Sequence, residues 1–308
     1  MRLIRHISPN AARWPATALA IGNFDGLHRG HQALVRAVCS RSDELSPALM
    51  CFEPLPASYF RPDRPVRRLL NVRDKINLCR SYGLDLMFML RFNARFAAQD
   101  PREFVEKVVV NGARARHVVV GRDFRFGARA AGDVELLEQL GRELQFSVQV
   151  IEEVSVDGQR VSSSLLRTVI GAGDLAGARQ LLGRNYQISG RVLRGHQLGR
   201  ELGFPTINLR PPEPPAATGV FAVKVTGAGL DRHPGVASLG IRPTVAGRNW
   251  LLEVHLFDYD GNLYGKHLSV EFIEHLRPEE KFEDLDSMKI QMKKDARQAR
   301  DLLRHPDH

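Results

Sequence analysis

Two histidines three residues apart, His28 and His31, stand in the run Gly22-Asn23-Phe24-Asp25-Gly26-Leu27-His28-Arg29-Gly30-His31. The run follows a short apolar stretch and leads into a segment with helical spacing. At the start of a helix such a pair projects on one face, a turn apart. Small residues ahead of it let backbone N–H groups approach a phosphate, and the helix N-terminus adds partial positive charge. Two imidazole donors there suit a triphosphate and the charge that develops on departing pyrophosphate. Capping or solvent-facing histidines are the plain alternative for either one alone. The glycine spacing and the HxGH pattern after a first strand favour nucleotide chemistry.

Other candidates are weaker when read alone. Ser162-Ser163-Ser164 followed by Arg167 combines a serine-rich helix start with an arginine one turn on, which suits phosphate. Thr206 and Asn208 lie two apart on an extended segment, so a hydroxyl and an amide oxygen face one way and could serve Mg²⁺. Without more, that segment is equally a turn into a strand. The glycines from 195 to 203, Gly199 and Gly203 among them, suit a loop over ATP phosphates. Strand alternation puts Glu253, His255 and Phe257 on one face. Gly171-Ala172-Gly173-Asp174-Leu175-Ala176 matches a dinucleotide fingerprint, but helical spacing precedes it where a strand is required. A helix, a glycine turn and a second helix capped by Asp174 are expected there. The chain has no GxxxxGK[ST] loop.

The elements that must position these residues come in two textures. Up to about residue 184, apolar runs at 18–23, 48–52, 84–90, 117–120 and 146–151 alternate with helical segments at 32–41, 72–82, 102–110 and 134–144. That alternation implies βαβ units and a parallel sheet. From Tyr186 to Phe272 short β-rich runs at 188–193, 219–225, 236–241, 251–257 and 268–272 are separated by turn residues, as in a small barrel. An amphipathic helix over 285–303 closes the chain. The expected division is 1–184 and 185–308.

At 308 residues the chain is long enough for two ordinary cores, and 43% hydrophobic with 26% charged residues marks a globular protein. No apolar run is long enough to span a bilayer. Three cysteines without CxxC spacing read as buried thiols in a reducing, cytoplasmic compartment. The net charge of +9 is scattered rather than blocked, so small anionic ligands explain it as well as nucleic acid does.

Several segments, taken in order, resemble one family. HxGH is the signature of the nucleotidyltransferase superfamily. Phe52-Glu53-Pro54-Leu55-Pro56, Val120-Gly121-Arg122-Asp123-Phe124-Arg125-Phe126-Gly127 and Arg160-Val161-Ser162-Ser163-Ser164-Leu165-Leu166-Arg167 resemble its bacterial flavin adenylyltransferase modules. Leu55 stands where many members have His, and no catalytic role is assigned to it. Gly203-Phe204-Pro205-Thr206-Ile207-Asn208 resembles the flavokinase GFPTAN motif with Ile207 for alanine; Gly190-Arg191-Val192, Gly240-Ile241-Arg242-Pro243-Thr244 and the stretch 252–258 also match that module. The motif order is that of the prokaryotic bifunctional riboflavin kinase/FMN adenylyltransferase family.

The resemblance implies a Rossmann-like α/β nucleotidyltransferase domain with a parallel sheet, then a β-barrel riboflavin kinase domain with a terminal helix. It implies that riboflavin and ATP give FMN in the second module, and that FMN and ATP give FAD and pyrophosphate in the first, with Mg²⁺. It implies ATP contacts at Gly22, Phe24, Asp25, Gly26, His28, His31, Ser163 and Arg167. Asp123 and Phe126 would lie beside the flavin, although core packing accounts for Phe126 equally well. In the kinase module it implies ATP contacts at Gly190, Gly199, Gly203, Thr206 and Asn208, Mg²⁺ at Thr206 and Asn208, and Glu253 as catalytic base. The small-molecule substrates are the expected partners, with neither nucleic acid nor membrane. A transferase acting on another phosphate such as phosphopantetheine, and a non-catalytic basic nucleotide- or nucleic-acid-binding protein, are the rival readings.

Overall fold

The computed structural model describes residues 1–7, 14–194, 203–244 and 247–304. The chain divides into two compact units, Met1–Val66 with Lys75–Ser162, and Arg67–Asp74 with Ser163–His308.

The first unit is built on β1 (Arg2–Ile4), β2 (Thr17–Ile21), β3 (Ser46–Glu53), β4 (Leu86–Arg91), β5 (Ala115–Gly121) and β6 (Ser147–Ile151). All neighbours are parallel, in the order β1-β4-β3-β2-β5-β6. β2 and β3 are buried along nearly their whole length, as strands covered on both faces must be, which is why they read as continuous apolar runs. Helices α1 (Arg29–Cys39), α2 (Pro56–Phe60), α3 (Val72–Ser81), α4 (Ala94–Ala97), α5 (Pro101–Glu103) and α6 (Val134–Leu144) connect the strands. α6 shows the local logic: Asp133 caps it by accepting from Leu136 N, Leu137 and Leu140 turn inward, and Gln145 ends it in the left-handed conformation. The expected 102–110 helix does open at Pro101, capped by Asp100, but Phe104–Val110 is π-wound. A two-stranded hairpin, β7 (Ser155–Val156) and β8 (Gln159–Arg160), follows β6.

The second unit begins its continuous stretch with α7 (Ser163–Gly171) and α8 (Leu175–Leu182). Between them lies the expected glycine turn: Gly173 has φ +82°, and Asp174 caps α8 by accepting from Gly177 N at 2.8 Å. Six antiparallel strands follow: β9 (Tyr186–Arg191), β10 (Ile207–Leu209), β11 (Gly219–Gly227), β12 (Leu230–Thr244), β13 (Gly247–Leu256) and β14 (His267–Arg277). Their order is β10-β13-β12-β11-β14-β9, and a bridge between Leu193 and Asn208 joins the two ends of the curled sheet. The core is filled by Phe221, Val223, Val225, Leu239, Leu252, Val254, Leu268, Val270 and Phe272. β12 starts earlier than its apolar run because Ala228 and Gly229, both at positive φ, form a two-residue hairpin that pairs Gly227 with Leu230.

Arg67–Asp74, distant in sequence, packs into this second unit. The Asp74 carboxylate accepts from Ser189 N at 3.1 Å, from Ser189 Oγ, and from Asn71 Nδ2 at 2.7 Å. Arg68 N donates to Pro214 O at 2.7 Å and Arg68 O accepts from Ala216 N at 3.0 Å.

The terminal helix, Leu285–Leu303, is anchored by Asp295, whose carboxylate takes Arg277 Nε at 3.0 Å and Nη2 at 2.8 Å. The Asp295 and Arg277 side chains are 6% and 18% exposed. Asp295→Ala would leave a largely buried guanidinium without its main partner, so urea unfolding of this unit should show a loss of about 3 kcal/mol.

Candidate active sites

In the first unit, β3 and β5 flank β2 on opposite sides, so the strand order reverses at β2 and β5. In open parallel sheets the crevice beyond the carboxyl ends of such strands binds ligands. Gly22–His28 leaves β2 at that end, and Gly121–Gly127 leaves β5 there. The two loops that the sequence marks for ATP and flavin are therefore brought to one rim by topology.

The β2 loop is tightly made. Asp25 is 1% exposed, Phe24 and Leu27 are fully buried, and both of the latter hold positive φ, at 49° and 44°. Left-handed backbone at large residues is costly and persists where surrounding packing over-determines it, a pattern concentrated at functional sites. Gly22 N anchors the loop to Met50 O at 3.1 Å.

His28 is the N-cap of α1, its Nδ1 accepting from His31 N at 3.3 Å. An accepting Nδ1 carries no proton, so in the neutral ring Nε2 is the donor. The His28 and His31 rings stack with centroids 3.7 Å apart and planes at 18°. A Cβ at Gly30 would stand 3.2 Å from two atoms of the His28 ring, so the glycine of HxGH leaves room for the capping imidazole. The His31 imidazole is held well below the usual histidine range by burial first, then by His28 and by Lys75. It therefore stays uncharged at neutral pH. Its Nδ1 is sealed from solvent and has no hydrogen-bond partner among the described residues.

In the β5 loop, Asp123 pairs with Arg160 at 2.6 Å, both being well exposed. Phe126 is 5% exposed, stacked against Phe124 at 5.5 Å and close to Phe104 at 5.8 Å. Its ring thus belongs to the apolar core of this unit, while half-buried Phe124 covers it. Leu55 is 3% exposed and stands at the N-cap of α2 without a side-chain capping bond. Ser163 and Arg167 stand on α7, in the second unit, with Arg167 Nε donating to Arg67 O at 2.8 Å.

Two of the kinase candidates, Asn208 and Glu253, share one face of the second unit. Register pairs Asn208 on β10 with Glu253 on β13, and Glu253 with Ser238 on β12. Directly opposed residues point their side chains to the same face. The Asn208 amide oxygen is sealed and has no hydrogen-bond partner among the described residues. Glu253 is held by Arg242, with Nε and Nη2 at 3.1 and 3.0 Å from Oε2, while Arg242 Nη1 reaches Glu279 at 2.7 Å. His255 Nδ1 lies 2.9 Å from Pro205 O and ties the segment carrying Thr206 to β13. Phe257, expected on the same strand face, lies just past the end of β13 and is buried against Ala296 and Ala299 of the terminal helix. At Gly190 a Cβ would lie 3.3 Å from the Leu209 side chain, so the glycine allows β9 to approach β10. Gly203 has φ +81° and open space around it. Gly199 lies outside the described residues.

Two residues of these sites went unassigned on sequence grounds. Lys75 is fully buried and donates to Asn23 O at 3.0 Å, inside the β2 loop. Its signal was a lysine on the apolar stripe of α3, between Val72 and Cys79. Arg242 carried no signal beyond its motif.

A family model described as FAD synthetase matches residues 10–165, and one described as riboflavin kinase matches residues 182–303. A nucleotidyltransferase-type parallel sheet in series with a flavokinase-type barrel defines a two-module class of flavin-nucleotide transferase. Relatives named bifunctional riboflavin kinase/FMN adenylyltransferase come from Escherichia coli, 41% identical over 98% of both chains, and Pseudomonas fluorescens, 39% identical over 100% of both. Another, from Haemophilus influenzae, is 38% identical over 97% of this chain and 98% of that one. The chain belongs to the bifunctional riboflavin kinase/FMN adenylyltransferase family. A solved structure titled as a macrolide-efflux protein from Streptococcus pneumoniae shares the fold with a TM-score of 0.79, at 27% identity over 95% of this chain and 97% of that one. Among the described residues here, no helix is long and apolar enough to cross a membrane.

Proposed function

We propose that the chain phosphorylates riboflavin to FMN in a module spanning 185–308 and adenylylates FMN to FAD in a module spanning 1–184. The observation that carries this reading is that each compact unit holds its own constellation, stacked histidines at a strand-end loop in one and Glu253 opposed to Asn208 in the other.

In the kinase step Glu253, steadied by Arg242, accepts the proton of the riboflavin 5′-hydroxyl as that oxygen attacks the γ-phosphorus of ATP and ADP departs. The sealed amide oxygen of Asn208, without a partner among the described residues, suits a hard cation, with the Thr206 hydroxyl two residues before it. When bound there, Mg²⁺ supplies charge neutralisation on the ATP phosphates. Gly190, Gly199 and Gly203 give backbone room for those phosphates.

In the adenylyl step the FMN phosphate oxygen attacks the α-phosphorus of a second ATP and pyrophosphate leaves. His28 and His31 donate N–H bonds to the polyphosphate, and the buried His31 ring, held uncharged, adds no charge that must be desolvated. Gly22, Phe24, Asp25 and Gly26 shape the loop around it, Ser163 and Arg167 bind phosphate, and Asp123 with the Phe124–Phe126 stack borders the flavin. The three cysteines are free thiols, which suits the reducing cytoplasm.

Purified protein given riboflavin, ATP and Mg²⁺ should yield FMN and then FAD on a product chromatogram, and chelation of Mg²⁺ should stop both. A chromatogram with neither flavin nucleotide would overturn the reading.

A further inference from the structure

We propose that Lys75 is a positioning residue for adenylyl transfer: its sealed ammonium fixes the phosphate loop through Asn23 and lends that loop a positive charge. The proposal rests on the adenylyltransferase reading above and extends it to a residue outside the HxGH motif.

A lysine ammonium out of reach of water is costly unless it is well paired. Lys75 is 0% exposed, yet among the described residues its one hydrogen bond goes to the main-chain oxygen of Asn23, at 3.0 Å, and it forms no ion pair. A main-chain carbonyl offsets little of the cost of burying a full charge. Up to two N–H donors remain, beneath a loop whose neighbouring residues hold strained backbone. A buried, underpaired cation under a strained loop is a stability cost that polyphosphate binding would relieve, because an anion bound above it completes the electrostatics.

Lys75 exposes no atom, so it acts through other groups rather than by touching substrate. One route is steric, since it pins the carbonyl that precedes Phe24, the residue whose ring lies 5.1 Å from His31. The other is electrostatic. Burial is the first influence opposing protonation of His31, and the charged groups that oppose it further are His28, from the loop and the cap of α1, and Lys75, from α3. Asp25 is the buried carboxyl of the same loop. The lysine thus helps to keep His31 a neutral donor, leaving the cationic role to itself. Its placement on α3 explains why a helix remote in sequence from HxGH carries a lysine on its buried stripe.

The test uses the full chain and Lys75→Met, which keeps the stem and removes the charge. FAD formation from FMN and ATP is expected to fall by about 10- to 100-fold, while riboflavin phosphorylation by the same preparation stays near the parent rate. The His31 ring, followed by NMR, should titrate at higher pH than in the parent, and the acid limb of FAD formation should move up with it. Desolvation and His28 still oppose protonation, so the ring should stop short of an ordinary histidine. Adenylyl transfer within twofold of the parent with an unmoved limb would overturn the proposal. So would loss of both activities together with the folded circular-dichroism signal, which would make Lys75 a packing residue only. A parent enzyme that forms no FAD at all would sink the adenylyltransferase reading itself, before the variant is compared.

Discussion

His31→Ala is expected to lower FAD formation by roughly 100- to 1,000-fold while leaving riboflavin phosphorylation near the parent rate. The asymmetry follows from where the side chain sits. His31 belongs to the first unit, at the start of α1, and its ring contacts are His28 and Phe24 of the β2 loop. Removing it deletes one of two stacked donors aimed past the end of β2 and takes away the support that holds the other flat. The His28 Nδ1 bond goes to the backbone N–H of residue 31, which the substitution keeps, so the cap of α1 should survive. Product chromatography from riboflavin and ATP should then show FMN accumulating without FAD. Equal loss of both products would refute the assignment of this site to adenylyl transfer.

Glu253→Ala should do the reverse. FMN formation is expected to fall by roughly 100- to 10,000-fold, the range associated with losing a positioned general base, while FMN supplied directly is still converted to FAD. The variant should remain folded, for a reason visible in the charge network. Arg242 keeps Glu279 at 2.7 Å and Ser238 Oγ at 3.1 Å when Glu253 is gone, so no cation is stranded. The side chain is also half-exposed, so its removal opens no cavity in the core formed by Leu252 and Val254 on the other strand face. A parent-like FMN rate in this variant would remove Glu253 from the chemistry.

Much of the fold was legible because it rests on local periodicity. Double-sided burial forces β2, β3 and β4 to be apolar throughout, and the 2-residue period of β13 separates Leu252, Val254 and Leu256 from Glu253 and His255. The glycine turn at 171–174 was legible too, since an Asp cap and a positive-φ glycine are short-range devices. The π-winding of Phe104–Val110 and the early start of β12 were not, because each depends on hydrogen-bond choices that side-chain pattern does not encode. The packing of Arg67–Asp74 into the barrel unit was illegible for a related reason. Asp74 and Ser189 meet across 115 residues of chain, and nothing in either neighbourhood announces the other.

The candidate sites divide along the same line. By itself the sequence determined which residue types are present at which spacing: HxGH after a first strand, a hydroxyl and an amide two apart, and a glutamate on an alternating strand. Those are covalent facts, and short-range geometry turns them into a helix cap or a shared strand face. Only the tertiary structure decided that the two imidazoles stack face to face and that burial, His28 and Lys75 keep His31 uncharged. It alone set Asn208 opposite Glu253 and tied that glutamate to Arg242. Protonation state and cross-strand register depend on desolvation and on partners tens of residues away, and those exist only once the chain has closed around them.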